Sequence, residues 1–582
     1  VRRVFGPPRQ YLRNDIDSQD YLMMISTLVH LRIACHFAAR SLVAVGLIFM
    51  VALPFAEKSA TAADPSTAAE PDVRGQLRKI IDIEIKAGWG KEQLTHPGRS
   101  TDSVFLRRVY LDLVGMIPTY EETVAFLKDT DSKKREKLID NLLADPRFSR
   151  NQATVWDVVL LGRNPQGIQE KQRDGFRKWL LTQFEKNEPY DQIVRKLLTA
   201  EEENSQLFYA QFRGSADDTA TAVTRYFLGT QIQCAKCHDH PFDSWTQKDY
   251  HGMVGFFVRT MVVEAGTPQE KTFKVGEKSA GEVLFMLDEK DPKTGKFVSV
   301  PIKPKFLSGE ELKEPELSKD FVEPKLKPNE LPPKPAFSRR TKIVEWITAK
   351  ENPYFAKAVA NRVWAQFMGR GFVHPVDDFN QQNEPSHSAL LKAIEAGLVA
   401  NKFDLKWLVR EIVNSEAYQS TDVGPAKDAL PKYYERARVR PLNVEELMAS
   451  LHVATGLGIN SALKSVPSRD MLKYLGEPND GQGTFQGSLT EHLFLHNGDV
   501  FRGLCRPIKD NLPDRLLKGT DPWEAKVDRM FLSLLSRSPT SAERERFVAY
   551  LAVPASDAKL ASQRLEEAIW VLVSCSEFRF NR

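Results

Sequence analysis

Along most of the chain, apolar positions recur every three or four residues, the spacing that gathers them on one face of an α-helix. Phe105, Val109 and Leu113 share such a face, flanked by Leu106 and Tyr110, until Gly115 and Pro118 stop the run. Thr119 with Glu122 has the form of a capping box, opening a second helix through Val124 and Leu127. Leu138, Ile139, Leu142 and Leu143 mark a third, which Asp145-Pro146 is expected to end. Further helices are expected around 176–184, 193–198 and 218–228. The same periodicity resumes at Thr341, with Phe355, Val359 and Val363 running up to Gly369-Arg370-Gly371. Leu405, Leu408, Val409, Ile412 and Val413 form an apolar stripe behind Asp404 as N-cap. Asn443 with Glu446 and Thr540 with Glu543 start two more helices, and Leu565, Ile569, Leu572 and Val573 line a final one.

Between the two helical stretches the pattern changes. Val283-Leu-Phe-Met-Leu287 and Phe297-Val-Ser-Val300 flank Asp-Pro-Lys-Thr-Gly, a hairpin signal. A Pro/Lys/Glu-rich passage comes next, including Leu331-Pro-Pro-Lys-Pro335, and reads as an extended connector. The expected fold is mainly α, two helical lobes with a small β-rich insert between them. Its divisions are an N-terminal extension over 1–63, a helical domain over 72–260, the insert and connector over 261–335, and a C-terminal helical domain over 336–582. No repeat of solenoid period interrupts this plan.

The first sixty residues obey a different logic. Arg32 and Arg40 precede an apolar run from Leu42 to Phe55, and small residues succeed it at Ala60-Thr61-Ala62-Ala63. A basic n-region, an apolar h-region and an A-x-A-type exit describe a secretory signal peptide, cleaved after Ala62 or Ala63. Val1–Tyr21 is not signal-like, which places the start of the signal at Met23 or Met24. The apolar run is shorter than the roughly 20 residues a membrane span needs, and Pro54 interrupts its end. The mature protein is therefore expected to be periplasmic or secreted and not to span a membrane; an uncleaved anchor is the alternative. A net charge of +4 with 27% charged residues, and no basic stripe with interleaved aromatics, argues against a nucleic-acid partner.

Export makes the cysteines informative. Cys35 leaves with the signal, and Cys234, Cys237, Cys505 and Cys575 remain. In an oxidising compartment thiols pair, ligate or attach something. For Cys505 and Cys575, with no ligand pattern around them, a disulfide is expected. Cys234-Ala235-Lys236-Cys237-His238 is instead a C-x-x-C-H sequence, the attachment pattern of c-type haem. Two thiols one short turn apart can each add to a vinyl group of one porphyrin, and the adjacent His238 then supplies the iron ligand. The same residues admit two other fates. Cys234 and Cys237 can close a short disulfide, or Cys234, Cys237, His238 and His240 can hold zinc, a metal site completed instead by distant residues such as His251 or Asp243 being a variant of the second. For haem, Phe242, Trp245, Met253 and Phe257 are the candidate wall of the pocket.

The run Phe227-Leu-Gly-Thr-Gln-Ile-Gln-Cys-Ala-Lys-Cys-His-Asp-His-Pro-Phe-Asp243, with Trp245 and Asp249-Tyr250, resembles the planctomycete cytochrome c-like domain, a secreted family. Phe105-Leu-Arg-Arg-Val-Tyr-Leu-Asp-Leu113 and Lys134-Arg-Glu-Lys-Leu-Ile-Asp140 are similar to its N-terminal half. Asn361-Arg-Val-Trp364, Gly369-Arg-Gly371, Pro375-Val-Asp-Asp-Phe379 and Asp404-Leu-Lys-Trp-Leu408 resemble the uncharacterised domain that usually succeeds it. The resemblance implies an exported protein carrying one covalent haem c, with an electron-transfer or redox role at the cell envelope and an unidentified redox or envelope partner. The alternative is a haem-free periplasmic structural or ligand-binding protein. Asn361, Arg362, Trp364 and Arg370 form a candidate sugar or anion site, and Asp377 and Asp378 a candidate divalent-metal site. Through them a hydrolase or lyase acting on polysaccharide is a third reading, although no triad, P-loop or zincin motif supports one. His492 and His496, spaced i, i+4, are candidate distal iron ligands.

Overall fold

Local capping chemistry starts the helices where the sequence places it. In the computed structural model, Thr119 and Glu122 exchange side-chain and backbone hydrogen bonds at the start of helix Tyr120–Lys128. Asn443/Glu446 and Thr540/Glu543 do the same for Val444–Ala454 and Ser541–Leu551, and Asp404 caps Leu405–Val413. Each satisfies backbone donors that a helix start leaves without partners. The structure describes residues 76–582 except 164, 166, 268, 269, 308, 426–429, 466, 468, 476–490, 492, 496, 497 and 555. The signal-like segment, His492 and His496 lie outside the described residues.

The fold is mainly α. Helix Asp102–Val114 buries Phe105, Leu106, Val109, Leu111 and Leu113 and ends on Gly115 in the left-handed conformation. Asp145-Pro146 ends Lys134–Ala144 as expected and also opens helix Pro146–Leu161: Asp145 accepts a hydrogen bond from the Arg147 N–H, and Pro146 takes the first helical position, where no donor is needed. Helix Gln76–Lys91, which the periodicity did not single out, lies within the expected helical domain and precedes Asp102–Val114.

The insert is two separate antiparallel hairpins. Strand β1 (Thr260–Thr267) pairs with β2 (Glu270–Glu277), from Thr260 opposite Glu277 to Thr267 opposite Glu270. Strand β3 (Val283–Lys290) pairs with β4 (Phe297–Ile302), the expected hairpin, with a shift of register between Met286 and Lys290. Arg259, just ahead of β1, and the fully buried Arg339, the first residue of helix Arg339–Ile347, fasten the insert to that helix. Both engage Glu282 and Glu314, and Arg339 also donates to the carbonyls of Gly255 and Gly281.

The described residues form one compact unit, and one hydrophobic core runs from Leu77 to Phe578. Buried arginines on helix Asp102–Val114 hold the far end of the sequence against it. Arg107 donates to the carbonyls of Leu534 and Phe578, and Arg108 to those of Tyr418, Ser420 and Arg582. No helix among the described residues is long and apolar enough to cross a membrane. The expected disulfide is not formed. Cys505 and Cys575 are free, and each thiol donates to a nearby helix carbonyl, Phe501 at 3.3 Å and Leu572 at 3.0 Å. Cys505 is fully buried, and burial pushes its thiol up to about 12, so it stays protonated.

Candidate functional site

The C-x-x-C-H segment begins where helix Ala216–Phe227 stops. Gly229 turns the chain at φ 66°, and a Cβ there would stand 2.9 Å from the Phe379 ring. The buried Ile232 then leads into a 3₁₀ turn, Gln233–Lys236. With three residues per turn, Cys234 and Cys237 stack on one side while Ala235 points inward. Burial agrees: Ala235 is fully buried, and both cysteines are exposed free thiols.

His238 is exposed beside them, and its Nδ1 lies 2.8 Å from the Asp239 carbonyl oxygen. A carbonyl only accepts, so Nδ1 carries the proton and Nε2 presents its lone pair. His240 faces another way. Its backbone N–H donates to the Trp245 carbonyl, and its Nδ1 accepts from the Phe242 N–H. Among the described residues no group of three or more His, Cys, Asp or Glu side chains is arranged to hold a metal ion. Neither His251, half-buried against the Phe285 ring, nor Asp243, which caps the Ser244 N–H, joins the two cysteines in such a group.

The four wall residues divide. Met253 and Phe257 are packed in the core, Trp245 is half-buried against Tyr354, and Phe242 is 55% exposed. Helix Gln247–Val254 carries the first of them and is capped by Thr246 and Asp249.

A network the sequence reading missed braces the turn. Lys236 Nζ lies 2.9 Å from Asp217 Oδ1, which also accepts from the Tyr250 hydroxyl at 3.0 Å. Burial alone would raise the Asp217 carboxyl, but Lys236 and Tyr250 hold it below the ordinary carboxylate value. Lys305 donates to Asp249 at 2.6 Å, anchoring helix Gln247–Val254 to the insert. No local spacing signals these contacts, because partners separated by up to 56 residues meet only on folding.

The second-half candidates are drawn to this same segment. Asp377 is fully buried and takes a charged hydrogen bond from Arg225 and one from Gln231 Nε2 at 3.1 Å. Its two oxygens are therefore occupied by residues just ahead of Cys234. Asp378 accepts from the Asn380 side chain at 3.0 Å. Asn361 is buried and spends its amide on the loop that presents Asp377: it accepts from Val373 N and donates to the carbonyls of Val373 and Val376. Trp364, also fully buried, stacks on Phe372 at 4.4 Å. Of that cluster, Arg362 and Arg370 are the half-buried members; Asn361 and Trp364 offer no surface to a sugar or an anion.

Residues 80–261 match the family model PSCyt2, a protein of unknown function (DUF1549), and residues 339–470 match PSD1, a protein of unknown function (DUF1553). The two stand in that order along the chain, and the first name points to a cytochrome-like domain. No curated protein and no solved structure matches the chain.

Proposed function

We propose that this chain is an exported c-type cytochrome-like protein, in which Cys234 and Cys237 carry one haem through thioethers and His238 ligates its iron. The observation that carries the reading is the state of the donors. Two free, exposed thiols stack on one side of a 3₁₀ turn, beside an imidazole whose Nδ1–H is committed to a backbone carbonyl. That hydrogen bond leaves Nε2 as the metal-facing nitrogen, and a backbone acceptor behind a ligating histidine orients the ring and raises its basicity. When bound, the haem supplies one-electron redox chemistry. The chain's own residues do the rest. Asp217 and Tyr250 hold the turn through Lys236, and Asp377 fixes Gln231 three residues before the first thiol. The periplasm or cell exterior is the compartment this chemistry requires, and a redox partner at the envelope completes the role.

The test is the protein expressed in a host that exports it and attaches haem. After denaturing electrophoresis the haem is expected to stay with the polypeptide and to give a c-type pyridine haemochrome. Cys234→Ser with Cys237→Ser should abolish attachment, whereas His238→Ala should keep the haem and change its axial-ligand spectrum. Exported protein with both thiols oxidised to a disulfide, or with stoichiometric zinc and no haem, would sink the proposal.

A further inference from the structure

Away from the motif, strand β2 runs beside a cleft of about 360 Å³. One wall is the turn after helix Tyr190–Thr199, from Thr199 to Gln206, and the other is the connector at Leu331, Pro332 and Pro335. Four successive β2 residues, Lys274, Val275, Gly276 and Glu277, also line it. Side chains of a strand alternate between its two faces, so a cleft over one face would meet only every second residue. A cleft that meets all four lies along the strand's edge.

That edge is open. Strand β2 pairs only with β1, in a two-stranded sheet. The Lys278 N–H donates to the Arg259 carbonyl at 2.8 Å, which sets the phase of the ladder. Gly276 opposite Met261 and Lys274 opposite Val263 then bond to β1, and the main-chain groups of Val275 and Glu277 point away from it. Lys271, in the same phase as Val275, bears this out: its carbonyl accepts from Gln172 Nε2 at 2.9 Å. Val275 has no such partner among the described residues. The connector does not supply one, because Pro332 and Pro335 carry no N–H. It closes over the outer face instead, where a Cβ on Gly276 would stand 2.9 Å from Leu331 Cδ2 and 3.0 Å from Pro332 Cδ.

We infer that this cleft is a peptide site, in which an extended segment of a partner protein adds to β2 as a third strand. Main-chain pairing is the chemistry on offer, since Val275 presents both its N–H and its C=O to the incoming chain. Arg340 adds a donor: its Nη1 is buried with no acceptor, and a peptide carbonyl would meet it. The charges around the cleft select little. Lys334 stands 3.5 Å from Glu201, and the Glu277 carboxylate is taken by the Ser338 hydroxyl and the Arg340 main-chain N–H. The segment is therefore uncharged and rich in β-forming residues such as Val, Ile and Thr. Four edge residues span about 13 Å, so 360 Å³ leaves a section about 5 Å across, the spacing of one added strand. A second copy of this chain does not fit, because its β2 would bring β1 and the connector with it.

The measurement is a pool of randomised N-acetylated hexapeptide amides passed over the immobilised full chain. Uncharged, β-prone peptides are expected to be retained. Methylating alternate nitrogens of a retained peptide should weaken it about five- to tenfold in the phase that faces β2 and leave it unchanged in the other phase. Arg340→Met, which keeps the main-chain bond to Glu277, should weaken it by a similar factor; if that variant does not fold, the methylated peptides on wild type carry the test. Peptide at ten times its Kd should slow exchange of the Val275 amide about tenfold. No retained peptide, or binding indifferent to the phase of methylation, would overturn the inference. A Val275 amide already protected without peptide would overturn it too, by showing the edge covered by the chain itself or a second copy.

Discussion

Asn361 shows how a residue's role turns on where its side chain ends up. In the sequence, a polar residue beside Arg362 and Trp364 reads as ligand chemistry; in the structure its amide makes three buried backbone hydrogen bonds. Asn361→Ala leaves those loop groups without partners in the interior, so it should destabilise the protein by about 2–4 kcal/mol. Urea unfolding checks this, and a loss near zero would restore Asn361 as a ligand candidate. Glu543 carries a pH prediction. Hydrogen bonds from Arg537, then Thr540, lower its carboxyl to about 2 against an ordinary 4.5. A depressed folded pKa contributes stability that is present above about pH 4.5 and is lost as pH falls toward about 2. The side chain is half-buried at the surface, where solvent screens the pair, so Glu543→Gln should cost no more than about 1 kcal/mol at pH 7. The difference between variant and wild type should shrink between pH 5 and pH 2, and a constant difference across that window would contradict the assignment.

At the scale of elements, caps were legible and the second role of the proline was not. Thr119/Glu122, Asn443/Glu446 and Thr540/Glu543 act through four adjacent residues, so sequence alone carries the whole interaction. Asp145-Pro146 is ambiguous because a proline ends one helix and begins another by the same missing donor. Asp145→Ala removes the cap of Pro146–Leu161 and the carboxylate partner of Arg147. It should cost about 1–2 kcal/mol, measurable as a shifted urea midpoint with unchanged m-value. An unchanged midpoint would mean the helix start is held by packing alone. That the two thiols lie one short turn apart was legible in their spacing, whereas the bracing by Asp217, Tyr250 and Lys305 was not.

At the scale of the molecule, the two matched regions share one core and exchange buried ion pairs. Asp377 of the second half holds Arg225 and Gln231 of the first. Asp377→Asn should therefore lower the stability of the whole by about 1–3 kcal/mol, the cost of leaving the half-buried Arg225 without its carboxylate. Calorimetry should show it as one transition moved downward; two separate transitions, with only one moved, would show the halves unfold independently. By itself the sequence determined the helical class, the capped helix starts at Thr119, Asp404, Asn443 and Thr540, the β3–β4 hairpin and the C-x-x-C-H motif, because periodicity, caps and close spacing act within a few residues. Only the tertiary structure decided that Cys505 and Cys575 stay apart as free thiols, and that Asn361 and Asp377 build a scaffold. It alone placed Arg107 and Arg108 on the carbonyls of the chain's last residues. Those contacts join positions more than a hundred residues apart, and nothing in a local pattern records which distant backbone group a buried side chain will satisfy.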